Sequence, residues 1–153
     1  GLRHSKINVL HKSILILGAG GVVPSIIYSL LSMGCKKIFL SNRTIEKAEN
    51  IKKKFEEVEV LKWKEIPDFD IVINATSVGL KGESLDLDFN TKDKVFYDVI
   101  YNPKETQFLK RARENGNRIE NGKLMFIYQA NQSFSIWNNV IPKIDEEALK
   151  ILE

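Results

Sequence analysis

Apolar residues along the chain follow two alternating patterns, short β-rich runs and longer stretches with helical spacing. The short runs predict five strands, at residues 13–18, 36–42, 58–63, 70–77 and 94–101. The longer stretches carry apolar residues three and four positions apart and predict helices at residues 22–34, 45–55, 106–116, 124–139 and 145–153. Residues 118–122 are compatible with a short sixth strand.

Strands that alternate with helices predict a parallel sheet with helices on both faces. Because crossovers between parallel strands are right-handed, few topologies remain, and a doubly wound, mostly parallel α/β sheet is favoured. The chain has 153 residues, enough for one domain with its own core, which we expect to span residues 1–153.

A glycine-rich turn follows the first predicted strand and opens the first predicted helix. Gly18 permits a tight turn, and Gly20 lets the backbone approach a pyrophosphate without an intervening side chain. Unpaired N–H groups at the start of a helix favour an anion. Val23 stands where the pattern has a third small residue, which we expect to push the helix slightly off the strand. The alternative is a plain glycine turn.

The residues after the second predicted strand indicate which nucleotide would bind. A site for NAD would place an acidic residue there for the ribose 2′-hydroxyl, but the chain has Asn42, Arg43 and Thr44, followed by Lys47. A guanidinium with amide and hydroxyl donors suits a phosphate group. The sequence therefore predicts the 2′-phosphate of NADP. The alternative is that Thr44 caps the helix beside exposed basic residues.

Composition and charge exclude several classes of protein function. The net charge of +3 is too small to argue for nucleic acid or an anionic membrane. The single cysteine, Cys35, allows no internal disulfide and suits a reducing, cytoplasmic setting. No apolar stretch nears the roughly 20 residues of a membrane helix. His4 and His11 have no acidic or cysteine neighbours at ligand spacing, so we expect no metal site.

Five segments in order resemble one family: GAGG, NRTIEKA, INATSVGL, DVIYNPKETQFL and NGKLMFIYQANQSFSIW. Together they are similar to the C-terminal NADP-binding domain of shikimate dehydrogenase, which is Rossmann-like, over residues 14–142. The resemblance implies that Thr76 lies near the cofactor ribose and that the backbone of Val99 and Gly122 faces the nicotinamide. It assigns the pyrophosphate to Gly18, Ala19, Gly20, Gly21 and Val22. It assigns the 2′-phosphate to Asn42, Arg43, Thr44 and Lys47.

The resemblance also implies a small-molecule substrate, shikimate or 3-dehydroshikimate, reached by Tyr101 and Gln129 across an interdomain cleft. A buried, unpaired amide costs free energy, so Gln129 on an otherwise apolar helix suggests a role. An ordinary strand-end position for Tyr101 and a solvent-facing Gln129 remain open. Met125, Phe134 and Trp137 are expected to serve packing.

In this family, proton transfer is attributed to a lysine and an aspartate in a separate N-terminal substrate domain. Nothing in the 153 residues fills that role, so no catalytic residue is assigned. We expect the chain to be the cofactor half of an NADP-dependent oxidoreductase that reversibly reduces 3-dehydroshikimate to shikimate. Residues 124–153 are then expected to pack toward the missing domain.

Two departures from the family pattern leave a question about cofactor affinity, and three alternative functions remain open. Leu124 replaces a glycine of the family pattern and, with Val23, puts cofactor affinity in question. The alternatives are a quinate/shikimate dehydrogenase, the NADP domain of glutamyl-tRNA reductase, which fits the later segments poorly, and a non-catalytic NADP-binding module. The sequence does not fix the oligomeric state and leaves a homodimer open.

Overall fold

Six strands form one sheet in which every neighbouring pair is parallel. The fold is taken from a computed structural model, which describes residues 2–150. The strands are β1 (Ser13–Leu17), β2 (Lys37–Ser41), β3 (Val58–Leu61), β4 (Ile71–Asn74), β5 (Val95–Asp98) and β6 (Arg118–Glu120). The helices are α1 (Val23–Ser32), α2 (Ile45–Lys52), α3 (Gln107–Glu114), α4 (Lys123–Asn138) and α5 (Glu146–Lys150).

The sheet has the strand order β3-β2-β1-β4-β5-β6, so the chain leaves the central pair, β1 and β4, in opposite directions. Residues 62–70 connect β3 to β4 and residues 75–94 connect β4 to β5, both without a helix. At the point where the strand order reverses, a crevice opens beyond the carboxyl ends of the strands. This edge holds most of the residues that the sequence predicts to bind a ligand.

Side chains on the central strands alternate between two apolar clusters, one on each face of the sheet. Ile14 and Ile16 of β1 pack with residues of α1 and α2, whereas Leu15 and Leu17 pack with residues of α3. A continuous apolar run is what a strand buried on both faces requires. On the α3 face, four phenylalanine rings meet mainly edge to face, namely Phe69, Phe89, Phe96 and Phe108.

The predicted fold class and the order of elements are confirmed. The strands and most helices are shorter by one to a few residues at their ends, and the sheet is parallel throughout rather than mostly parallel. Gly34 has φ +76° just after α1, as expected of a residue that ends a helix. The last three residues of the predicted final helix lie outside the described part of the chain.

Helix α4 differs from the prediction in its burial. It is long and rich in apolar residues, but none of its side chains is buried among residues 2–150. Phe134 is 48% exposed and Trp137 is 82% exposed, so neither packs inside this domain, whereas Met125 is partly buried and packs against the core, as predicted. Apolar residues occur all around α4, and within residues 2–150 its side chains are at most partly buried.

Two absences apply to residues 2–150. No helix there combines the length and the hydropathy that a bilayer span requires. In the same range, histidine, cysteine and carboxylate side chains nowhere gather in a group of three or more that could hold a metal ion.

Candidate functional site

The turn between β1 and α1 depends on Gly18. This residue has φ +103°, and a Cβ built on it would lie 2.8 Å from the carbonyl oxygen of Ala75. Its N–H donates to the Ser41 carbonyl at 2.8 Å. Gly18 is therefore a glycine for two physical reasons, an unusual backbone conformation and close contact with the chain beyond β4.

Gly20 and Gly21 follow in the same turn and have neither constraint. Both are exposed, neither has a positive φ, and a Cβ on either would meet nothing within 4 Å. Within residues 2–150 the backbone N–H groups of Ala19, Gly20, Gly21 and Val22 have no hydrogen-bond partner. Val22 caps α1 without a side-chain bond. The start of α1 thus presents a row of free donors at the carboxyl edge of the sheet.

The segment after β2 presents cationic side chains at the same edge. The Asn42 amide donates to the carbonyl of Thr44 at 2.7 Å, which folds the turn into α2. Thr44 occupies the N-cap position of α2, as the alternative reading has it, but its side chain makes no capping hydrogen bond. Arg43 and Lys47 are exposed, and neither forms an ion pair within residues 2–150.

Thr76 lies against the glycine turn, just beyond β4. Its methyl carbon is 3.0 Å from the position that a Cβ on Gly18 would occupy. Its hydroxyl donates to Asn74 Oδ1 at 2.7 Å and accepts from the Val78 N–H at 3.1 Å. The side chain is therefore close enough to the turn to contact a ligand there, while its hydroxyl already stabilises the 76–78 turn.

Gly122 and Val99, which the sequence predicts to share a role, are in direct contact. A Cβ on Gly122 would lie 1.9 Å from the Val99 carbonyl oxygen, and the Gly122 N–H donates to the Ile100 carbonyl at 3.0 Å. Only glycine fits here, because the backbone that begins α4 rests on the backbone that follows β5. Leu124, two residues later, is partly buried.

Tyr101 contacts α4, and Gln129 lies on it. The Tyr101 ring stacks on Phe126, with centroids 4.5 Å apart and planes at 27°. Gln129 is exposed, so the argument from a buried amide fails, and the solvent-facing alternative describes its position within residues 2–150. Its side chain lines a cavity of about 840 Å³ between α1 and α4, together with Gly21 and Met125.

A buried polar cluster that sequence reasoning missed lies directly beneath this edge. The Asp98 carboxylate accepts from Ile100 N–H at 3.0 Å, from the Asn74 amide at 3.1 Å and from the Thr106 hydroxyl at 2.6 Å. Asn74 and Asp98 are fully buried, and Thr106 nearly so. Burial raises the pKa of Asp98, and the three hydrogen bonds oppose that shift. The available signal was a polar residue at the end of each of two apolar strands.

The parallel sheet and the residues at the carboxyl ends of its strands define the class of Rossmann-like α/β proteins with a glycine turn at the switch point of the sheet. Comparison with known proteins gives the particular family. The model of the shikimate/quinate 5-dehydrogenase family matches residues 2–81, and the chain belongs to this family.

Individual relatives extend the similarity over nearly the whole chain. The NADP-type shikimate dehydrogenase of Pelagibacter ubique is 52% identical and matches 99% of this chain. The crystal structure of shikimate dehydrogenase from Aquifex aeolicus superimposes with a TM-score of 0.84 at 38% identity over 97% of the chain. The crystal structure of shikimate 5-dehydrogenase from Listeria monocytogenes, in complex with shikimate and NAD, superimposes with a TM-score of 0.87 at 28% identity over 99% of the chain. The chain spans 57–59% of these three proteins.

Proposed function

We propose that this chain is the cofactor-binding part of an NADP-dependent shikimate dehydrogenase, which reversibly reduces 3-dehydroshikimate to shikimate. The observation that carries the cofactor assignment is the segment Asn42–Thr44. It places an exposed guanidinium after β2 and has no carboxylate at the position where an NAD site needs one. The names of the relatives, such as the 52% identical Pelagibacter protein, support the same reaction.

The residues present fit a phosphorylated dinucleotide. We assign the pyrophosphate to the free N–H groups at the start of α1, because oriented amides at a helix N-terminus stabilise an anion. We assign the adenosine 2′-phosphate to Arg43 and Lys47, with Asn42 and Thr44 as polar neighbours. Thr44 Oγ is not used as a helix cap, which leaves it available for a phosphate oxygen. Thr76 then lies beside the pyrophosphate.

At the other end of the site we assign the nicotinamide to the backbone of Val99 and Gly122. NADPH supplies a hydride, and the chain's own task is to hold the ring and the substrate at near-attack distance. Tyr101, fixed by its stack on Phe126, and Gln129 of α4 are proposed to bind the substrate carboxylate and hydroxyls. Asp98 is fully buried and shared by three donors, so it is not available to protonate a ketone oxygen.

We further propose that α4 packs against a substrate domain that supplies the proton-transferring groups. The large exposed apolar side chains of α4, Phe134, Ile136 and Trp137, support this, because a concentration of exposed apolar surface is typical of an interaction site. A second copy of this chain is the other candidate partner. Light scattering of the chain alone distinguishes the two, since a dimer through α4 would double its mass.

Titration of NADPH and NADH against the chain and its Arg43→Ala variant tests the cofactor assignment. Loss of a charge-assisted hydrogen bond costs about 1.5–3 kcal/mol, so NADPH affinity should fall roughly 10- to 150-fold. NADH affinity should change little, because NADH has no 2′-phosphate. Lys52→Ala, at the far end of α2, is the matched control and should leave both affinities unchanged. Equal losses for both cofactors in Arg43→Ala would contradict the assignment.

A further inference from the structure

The carboxylate of Asp98 joins the end of β4, the backbone just after β5 and the start of α3. Its Oδ1 accepts the Asn74 amide from the end of β4 and the N–H of Ile100, which follows β5. Its Oδ2 accepts the hydroxyl of Thr106, the N-cap of α3. Both oxygens are thus directed at donors, the arrangement that an ionised carboxylate accepts.

Each of these contacts leads to a part of the proposed cofactor site. Asn74 Oδ1 accepts from both the N–H and the hydroxyl of Thr76, beside the glycine turn. The Asp98–Ile100 hydrogen bond spans Val99, whose carbonyl oxygen touches Gly122. One buried carboxylate therefore determines the backbone at the ends of both β4 and β5.

Stability alone is a weak reason for this cluster. Moving a carboxylate out of water costs several kcal/mol, and an apolar set of similar volume would avoid that cost. What a fully bonded polar cluster provides instead is one favoured geometry, because hydrogen bonds are directional and an alternative arrangement would leave a buried group unpaired. The segment that gains this geometry, residues 99–101, includes both Val99 and Tyr101.

We propose that Asp98, with Asn74 and Thr106, is a positioning residue for the nicotinamide end of the cofactor site. This inference rests on the proposed function. Asp98 touches neither cofactor nor substrate; it fixes the Val99 peptide against Gly122 so that the ring has a rigid backbone to lie on. The adenosine end, around Arg43 after β2, is held by other contacts and does not depend on Asp98.

Calorimetric titration with two probes tests the proposal on the chain itself. NADPH carries the nicotinamide, whereas adenosine 2′,5′-bisphosphate carries only the adenosine end, with its 2′-phosphate and the first phosphate of the pyrophosphate. In Asp98→Asn, NADPH affinity should fall about tenfold, the equivalent of one lost buried hydrogen bond, while affinity for the bisphosphate stays within about twofold. The ratio of the two affinities is the readout, because general destabilisation does not separate the two ends of a ligand.

Matched variants keep the result decisive if Asp98→Asn folds poorly. Thr106→Val removes the hydroxyl with little change of shape and should move the ratio in the same direction, whereas Thr106→Ser keeps it and should restore the ratio. Asn117→Asp is the control, since Asn117 is a buried amide that bonds Lys94 N–H at the amino end of the sheet. It should lower stability and leave the ratio unchanged.

The outcomes distinguish this proposal from the proposed function on which it rests. If the unmodified chain binds neither probe, the proposed function is wrong, and the positioning role falls with it. If the chain binds both probes and Asp98→Asn weakens both equally, or changes only the unfolding midpoint, the positioning role is wrong and the proposed function stands. The same holds if Asn117→Asp shifts the ratio as strongly as Asp98→Asn.

Discussion

Glycines at the carboxyl edge of the sheet are required for different reasons. Gly18 and Gly122 have no room for a Cβ, because the backbone at Ala75 and Val99 respectively lies too close. Gly20 and Gly21 have open space around them and ordinary φ values. Packing accounts for the first pair, whereas the second pair has no packing requirement and is free for the close approach of a ligand that we propose.

Gly122→Ala should destabilise the chain, because its Cβ would meet the Val99 carbonyl. Overpacking typically costs about 1–3 kcal/mol, and this contact is with backbone that cannot rotate away. Gly21→Ala is the control and should change the free energy of unfolding by less than about 0.5 kcal/mol. Urea denaturation without ligand measures both. A Gly122→Ala variant as stable as Gly21→Ala would show that the contact relaxes at no cost.

A phosphate segment around Arg43 could be proposed from sequence, whereas the contacts of Asp98 could not. The proposed segment is local: four nearby residues follow one strand, and their order alone carries the argument. A polar residue at the end of an apolar strand marks Asp98 as unusual, but two of its partners lie 24 and 8 positions away. The Asn74 contact exists because β4 and β5 are neighbours, and a pattern along the chain does not contain that pairing.

At the level of elements, α4 shows the limit of reading burial from apolar content. Its residues are apolar on all sides, so no stripe marks a buried face, and the prediction relied on composition. Within residues 2–150, its recorded contacts with the rest of the molecule include the Gly122 junction, the Tyr101–Phe126 stack and a His4–Tyr128 hydrogen bond of 2.9 Å.

Replacing Trp137 by lysine should therefore cost this chain little stability. Trp137 is 82% exposed, and surface substitutions usually change the free energy of unfolding by less than about 0.5 kcal/mol. Met125→Lys is the comparison, since Met125 packs against the core on the α1 face and should cost about 1–3 kcal/mol. Thermal unfolding of both variants gives the answer. A large loss for Trp137→Lys would mean that the side chain is covered in solution, by a second copy or by α5.

For the whole molecule, the strand order determines which residues of the candidate site come together. With β1 and β4 adjacent and all strands parallel, the glycine turn, Arg43, Thr76 and Tyr101 come to one edge. The alternation of strands and helices predicts this edge, and the fold class is confirmed. Element ends and the burial of α4 were less predictable, because both depend on contacts between segments rather than on local pattern.

The chain by itself should bind NADPH and show no dehydrogenase turnover. The described residues place the proposed cofactor donors and Tyr101 at the carboxyl ends of the strands, but Asp98 there is buried and already bonded on both oxygens. Absorbance at the reduced-nicotinamide band, with NADP and either shikimate or quinate, measures the rate, and a thermal shift with NADPH confirms that the sample binds it. Robust turnover of either substrate would contradict the proposal that a separate substrate domain supplies the proton-transferring groups.

The contact between Gly122 and Val99 also constrains motion. Since Gly122, the N-cap of α4, rests on the backbone of Val99, the start of α4 cannot shift without displacing the backbone that follows β5. A ligand that rests on Val99 would therefore lie where two segments of the chain hold the backbone in place.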